Sequence, residues 1–87
     1  MYSPANSPHL DKKLRKILKK DKKQYERIYK KMGEILKNPH TYKPLGNILY
    51  GLRAVHLDPF VLTFSINEKT KIVVFEDFDH HDKIYRN

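Results

Sequence analysis

The chain has 87 residues, no cysteine and a formal charge of +8. That length allows one domain with one modest core, and without cysteine neither a disulfide framework nor a thiolate metal site is available to support it. No apolar run approaches the roughly 20 residues that span a bilayer, and the opening Met-Tyr-Ser-Pro-Ala-Asn lacks the basic-then-apolar order of a signal peptide, so the expectation is a cytoplasmic protein with no membrane association.

Residues 1–7 carry weak signals: Tyr2 suits a short edge strand, while Pro4 opposes a long one. Ser7-Pro8 reads as a helix cap followed by proline at the first helical position. Leu10, Leu14, Ile17 and Leu18 then fall on one face of a helix over about 8–20. Asp21 breaks that helix and caps the next, in which Tyr25, Ile28, Tyr29, Met32, Ile35 and Leu36 trace a second apolar stripe over about 22–37. Asn38-Pro39 closes it, because the residue before proline is pushed out of the helical region. After a loop containing Tyr42-Lys43-Pro44-Leu45-Gly46 the period changes from helix to strand. Strands are expected at about 49–57, 60–66 and 71–77, joined by a turn at Asp58-Pro59 and a hairpin loop at Asn67–Thr70. Phe60, Leu62, Phe64 and Ile66 share one face, and Ile72–Phe75 is apolar on both faces, as in a covered strand.

Two amphipathic helices with almost no linker form a hairpin whose stripes need a surface to bury against, and the strands supply it. The expected fold is therefore α+β in two layers: a helical hairpin on an antiparallel sheet of three to four strands, with a short C-terminal segment, all in one domain over 1–87.

Charge is divided unevenly. Residues 1–43 carry thirteen Lys or Arg against four acids, whereas residues 44–87 carry five against six. A field of +9 on the helical half against −1 on the strand half implies a polyanionic partner. A solvated helix face also requires charged residues opposite its stripe, so the lysines alone do not decide for nucleic-acid binding.

The chemistry-bearing residues gather toward the end, where Glu76-Asp-Phe-Asp-His80-His81-Asp82-Lys83-Ile-Tyr85 follows an apolar strand. Histidine changes charge closest to physiological pH, and neighbouring carboxylates favour its protonated form. His9 and His40 read as surface residues. His56 lies near the end of the first long strand, in phase with Tyr50, Leu52 and Ala54, while Arg53 takes the opposite phase. Metal-free RNA cleavage needs a base for the 2′-hydroxyl, an acid for the leaving 5′ oxygen and cations for the phosphate. Two histidines from different strands with Lys or Arg meet that list. A helical turn after the last strand would also bring His81 and Tyr85 onto one face at i and i+4. The competing reading, a metal held by His80, His81, Asp82 and His56, is disfavoured because adjacent side chains seldom converge on one ion and no spaced ligand motif is present.

The order of elements over Lys12–Tyr85, with Tyr42-Lys-Pro-Leu-Gly46 leading to Gly51-Leu-Arg-Ala-Val-His56, then Phe60-Val-Leu-Thr-Phe64 and His81 four residues before Tyr85, resembles the RelE/ParE superfamily of toxin–antitoxin toxins, and within it the histidine-bearing YafQ-like branch. The resemblance implies a compact RelE-like fold and a ribosome-dependent endoribonuclease that cleaves mRNA to inhibit translation without a cofactor or metal. It also implies an acidic, RelB-like antitoxin that holds the toxin in a hetero-oligomer. Carried over by position, His81 is the candidate acid, His56 the candidate base or phosphate ligand and Tyr85 the C-terminal aromatic. Arg53, Lys43 and Lys83 are candidates for holding substrate. The chain departs from the pattern at Val61, where many ribonuclease members carry arginine, and at Phe60, which replaces the acid after the proline equivalent. ParE-like members of the fold act on DNA gyrase, so a non-catalytic inhibitor of a protein target, or a simple basic RNA-binding domain, stands as the alternative.

Overall fold

The computed structural model describes residues 1–46 and 49–85. In chain order the elements are β1 (Ser3–Asn6), α1 (Pro8–Lys20), α2 (Lys22–Lys37), a 3-10 turn (Pro39–Thr41), β2 (Arg53–Leu57), β3 (Phe60–Asn67), β4 (Ile72–His80) and α3 (His81–Tyr85).

Local chemistry sets the helix ends. The Ser7 hydroxyl accepts the Leu10 amide at 3.0 Å and Pro8 begins α1, where its missing N–H costs no hydrogen bond. Asp21 serves both helices. Its amide donates to Ile17 O at 2.7 Å and ends α1, while its carboxylate accepts the Gln24 amide at 3.1 Å and starts α2. Leu10, Leu14, Ile28, Met32 and Ile35 lie buried against the sheet. The opposite faces carry the lysines.

The sheet order is β1-β4-β3-β2. β2 with β3 and β3 with β4 pair antiparallel, but β1 runs parallel to β4, with Ser3 opposite Ile72 and Asn6 opposite Phe75. The sheet is thus mixed where an antiparallel one was expected, because the whole helical hairpin lies between β1 and the other strands and returns the chain in the same sense. Pro4 is tolerated because β1 is an edge strand.

Two strand boundaries also differ from expectation. The alternation of Leu49–Leu52 belongs to a turn: the Leu49 amide bonds Gly46 O and the Leu52 amide bonds Leu49 O, each at 3.1 Å. Gly51 sits there at φ +92°, a conformation open to glycine, so β2 starts at Arg53 rather than 49. At the other end β4 continues to His80 rather than 77, because a β-bulge lengthens it. Thr63 faces Asp77 while Phe64 faces Phe75, leaving Glu76 as the extra residue. Phe75 and Phe78 are three positions apart and would fall on opposite faces under strict alternation. The bulge turns both inward, where both are buried. The Glu76 carbonyl accepts the Ser7 hydroxyl at 2.6 Å, so the residue that caps α1 also satisfies the bulge.

The core lies between the helices and the sheet, with Val55, Leu57, Leu62, Phe64, Val73, Phe75 and Phe78 from the strands. Removing a fully buried Phe or Leu side chain from water contributes roughly 2 kcal/mol or more.

Candidate active site

β2 alternates Val55 and Leu57 into the core, which turns His56 outward between them. The Asp58-Pro59 turn, with a cis peptide bond, returns the chain into β3. α3 begins beside this turn, where the His81 amide donates to Pro59 O at 3.0 Å. The two adjacent histidines therefore have different surroundings. His80 Nδ1 accepts the Asp82 amide at 3.1 Å and caps α3, with its ring edge-on to Phe60 at 6.1 Å. The helical step from His81 to Tyr85 places their rings 4.8 Å apart. Buried Ile84 secures α3, which packs on β3 and β4.

Three rings meet there. His56 lies 6.2 Å from His81 and 6.5 Å from Tyr85, nearly parallel to the tyrosine at 27°. The two histidine side chains are 54% and 53% exposed, so a ligand can reach both. Each also has a carboxylate on its Nδ1 side: Asp58 Oδ1 is 3.8 Å from His56 and Asp82 Oδ1 is 3.4 Å from His81. That arrangement leaves Nε2 of each ring for a substrate. Asp58 had been legible only as a turn residue, although an acid two positions after a strand-end histidine could have suggested its second role.

The remaining acids of the tail are engaged elsewhere. Lys13 of α1 donates to Asp77 at 2.7 Å and to Asp79 at 2.8 Å, with a third bond to Phe78 O. Burial alone would raise the Asp79 pKa, but the Lys13 hydrogen bond and the His80 amide outweigh it and hold the carboxyl below its usual range. Burial likewise works against the charge of Lys13, and the two aspartates reverse that effect and hold its pKa above the ordinary value. Glu76 accepts from Ser65. The negative charge of β4 is thus directed toward α1 instead of gathering at the three rings.

The candidate substrate-holding cations are dispersed. Arg53 lies at the far end of β2, in phase with the core residues, and donates to Tyr42 O at 2.6 Å. Lys83, two residues after His81, is turned roughly 200° around the helix from it. Lys43 is better placed: its carbonyl accepts the Ala54 amide, and Pro44 bridges Arg53, which sets Lys43 opposite Ala54 on the His56 face of the sheet. Val61 is directly across from His56 and wholly buried, so that position offers the cluster no charge. Among the described residues no group of three or more His, Asp or Glu side chains is arranged to hold a metal ion, and no helix is long and apolar enough to cross a membrane.

Residues 5–85 match the family described as ParE toxin of type II toxin-antitoxin system, parDE. The chain belongs to the RelE/ParE toxin superfamily. It is 51% identical over 87 residues to the toxin candidate RelE4 of Methanocaldococcus jannaschii, covering 99% of this chain and 93% of that protein. Solved structures share the superfamily fold at low identity. One is the toxin–antitoxin complex RelBE2 from Mycobacterium tuberculosis (TM-score 0.78, 20% identity, 92% of this chain and 98% of that one). Another is YafQ from E. coli BL21(DE3) (TM-score 0.73, 21% identity, 98% and 99%). As in the sequence-based expectation, the superfamily architecture is α+β, with helices packed on a four-stranded sheet.

Proposed function

We propose that this toxin is a ribosome-dependent endoribonuclease that cleaves mRNA and inhibits translation in the cytoplasm. The observation that carries the reading is the convergence of His56, His81 and Tyr85 on one exposed surface, with histidine rings 6.2 Å apart. In this reading a phosphodiester lies between the two imidazoles. In the proposed reaction His56 takes the proton from the ribose 2′-hydroxyl, whose oxygen attacks the adjacent phosphorus. The bond to the 5′ oxygen breaks as His81 protonates it, leaving a 2′,3′-cyclic phosphate. Tyr85 stacks on a neighbouring base or donates to the phosphate, and Lys43 supplies positive charge on the same face. Lys83 and Arg53 have supporting roles at most, given their positions. The basic helices track ribosomal RNA through its phosphates. No cofactor enters this chemistry.

The partner in this reading is an acidic, RelB-like antitoxin that folds on the basic surface and forms a hetero-oligomer with the toxin.

The test is primer extension on a defined mRNA in a purified translation system, comparing wild type with His81→Ala. New ends that require both ribosomes and His81 support the nuclease. A second reading draws on two observations: the matching family is named for ParE, and buried Val61 stands where ribonuclease members carry arginine. It makes the protein a non-catalytic inhibitor of a protein target such as gyrase. Intact mRNA despite arrested growth favours that reading.

A further inference from the structure

A second surface lies on the other side of the turn that carries the histidine cluster. Between the second half of α1, the start of α2, the start of β3 and the end of β4 is a groove of about 370 Å3. Its apolar lining is Ile17, Phe60 and Phe78, and Lys13, Lys16 and Lys20 occupy its helical wall. The spacing of these lysines at i, i+3 and i+7 sets all three ammonium groups on one face of α1. The two acids of the groove are already engaged: Asp79 is held by Lys13, and Asp21 caps the Gln24 amide. Lys16 and Lys20 form no ion pair among the described residues, so their charges remain available to a ligand.

The aromatic lining is ordered. Phe60 stacks on Phe78 at 5.1 Å with 26° between the planes, and the His80 ring stands nearly perpendicular to it at 6.1 Å. A fixed ring beside free ammonium groups matches a nucleotide, which presents a flat π-face together with a phosphate. An acidic peptide would meet the lysines but has no feature that calls for the ring. The groove and the cluster flank the same turn, since Phe60 follows Pro59, whose carbonyl holds the His81 amide.

We propose that this groove is a nucleotide subsite in which one base of the RNA strand stacks on Phe60 while its flanking phosphates lie against Lys16 and Lys20. The inference rests on the RNA reading above and extends the bound strand beyond the three rings.

The experiment uses a 2′-O-methyl hexanucleotide, which cannot be cut through its blocked 2′ oxygen, with 2-aminopurine at one position at a time. Binding should quench the fluorophore at one position. Lys16→Glu with Lys20→Glu should weaken binding about tenfold and reduce the slope of log K against log salt by about 1.4, the value for two lost single-strand phosphate contacts. Lys30→Glu with Lys37→Glu makes the same charge change on α2 and should weaken binding far less. Phe60→Leu keeps an apolar side chain, and a variant that melts cooperatively should bind without the quench. Equal loss from the two lysine pairs, or a quench that survives in Phe60→Leu, overturns the subsite. So does a groove that takes a Glu- and Leu-rich peptide but not the hexanucleotide. Groove-dependent binding by a protein that cuts no mRNA on ribosomes supports the subsite and removes the nuclease reading. Cleavage with unchanged binding in the groove variants removes the subsite alone.

Discussion

The two ends of β2 use the same residue types to opposite effect. At the Arg53 end, His40 is joined through Nε2 to Glu68, and its Nδ1 faces the Arg53 guanidinium at 3.5 Å. Tyr2 donates to the same Glu68 carboxylate, and Lys71 completes it at 2.7 Å while lying over the tyrosine ring. This group of histidine, tyrosine, carboxylate and cation is closed, and it ties the N-terminal segment to the β3–β4 loop. At the Leu57 end, His56, His81 and Tyr85 meet as rings, with carboxylates near one nitrogen of each histidine and the other nitrogen open. Composition alone does not separate a structural clasp from a candidate reactive site. What separates them is how many polar atoms are already satisfied within the fold.

That contrast is broken most directly at the open end. His81→Ala should lower cleavage of ribosome-bound mRNA by about a hundredfold or more, the range for a general acid, with an unchanged melting curve. Undiminished toxicity in a well-expressed variant would remove His81 from the chemistry. His56→Ala should produce a loss of similar order in single-turnover cleavage, again with little change in stability because the side chain is exposed. Tyr85→Ala should cost about tenfold, as expected for one lost stacking contact.

The closed end should answer to stability instead. Hydrogen bonds from Lys71, Tyr2 and His40 hold the Glu68 pKa down to about 2, against an ordinary 4.5. As pH falls the unfolded chain takes up this proton first, so the stabilisation is complete above about 4.5 and is lost on the way to about 2. Glu68→Gln should therefore melt earlier than wild type at pH 6, and the gap should narrow at pH 2.5, with cleavage at neutral pH retained. A constant gap would show that the network contributes no proton-linked stability. The smallest effect is expected at Lys13, whose partly buried bridge to Asp77 and Asp79 contributes about 1 kcal/mol. Lys13→Met should lower the denaturation midpoint by a correspondingly small amount.

The helical layer was legible because its signals are local: Ser7-Pro8, the shared Asp21 and the apolar spacings all act within one or two turns. A short edge strand near Tyr2 was legible, but its parallel pairing was not, since that depends on residues 69 positions away in register, Ser3 with Ile72. The end of β4 was obscured by its bulge, which breaks the alternation at Glu76 and makes a paired strand read as a charged tail. At the site, the partnership of His81 with Tyr85 followed from helical spacing. The approach of His56 depends on two turns, and the division of labour between His80 and His81 depends on which ring caps α3. Arg53 was a substrate candidate only through its position in the family resemblance. Its strand phase, already visible in the sequence, turns it away from the His56 face, and its place at the start of β2 sets it at the closed end.

The same long-range pairing governs the order in which the protein becomes competent during its own synthesis. β1 emerges first but has no partner until residues 72–75 leave the exit tunnel, and closing so long a loop is slow compared with forming the helical hairpin. His81 and Tyr85 follow later still. A nascent chain therefore presents its basic helices before the last strand and the three rings are in place. The time between completion of the fold and the encounter with its target is the interval in which an antitoxin can capture it.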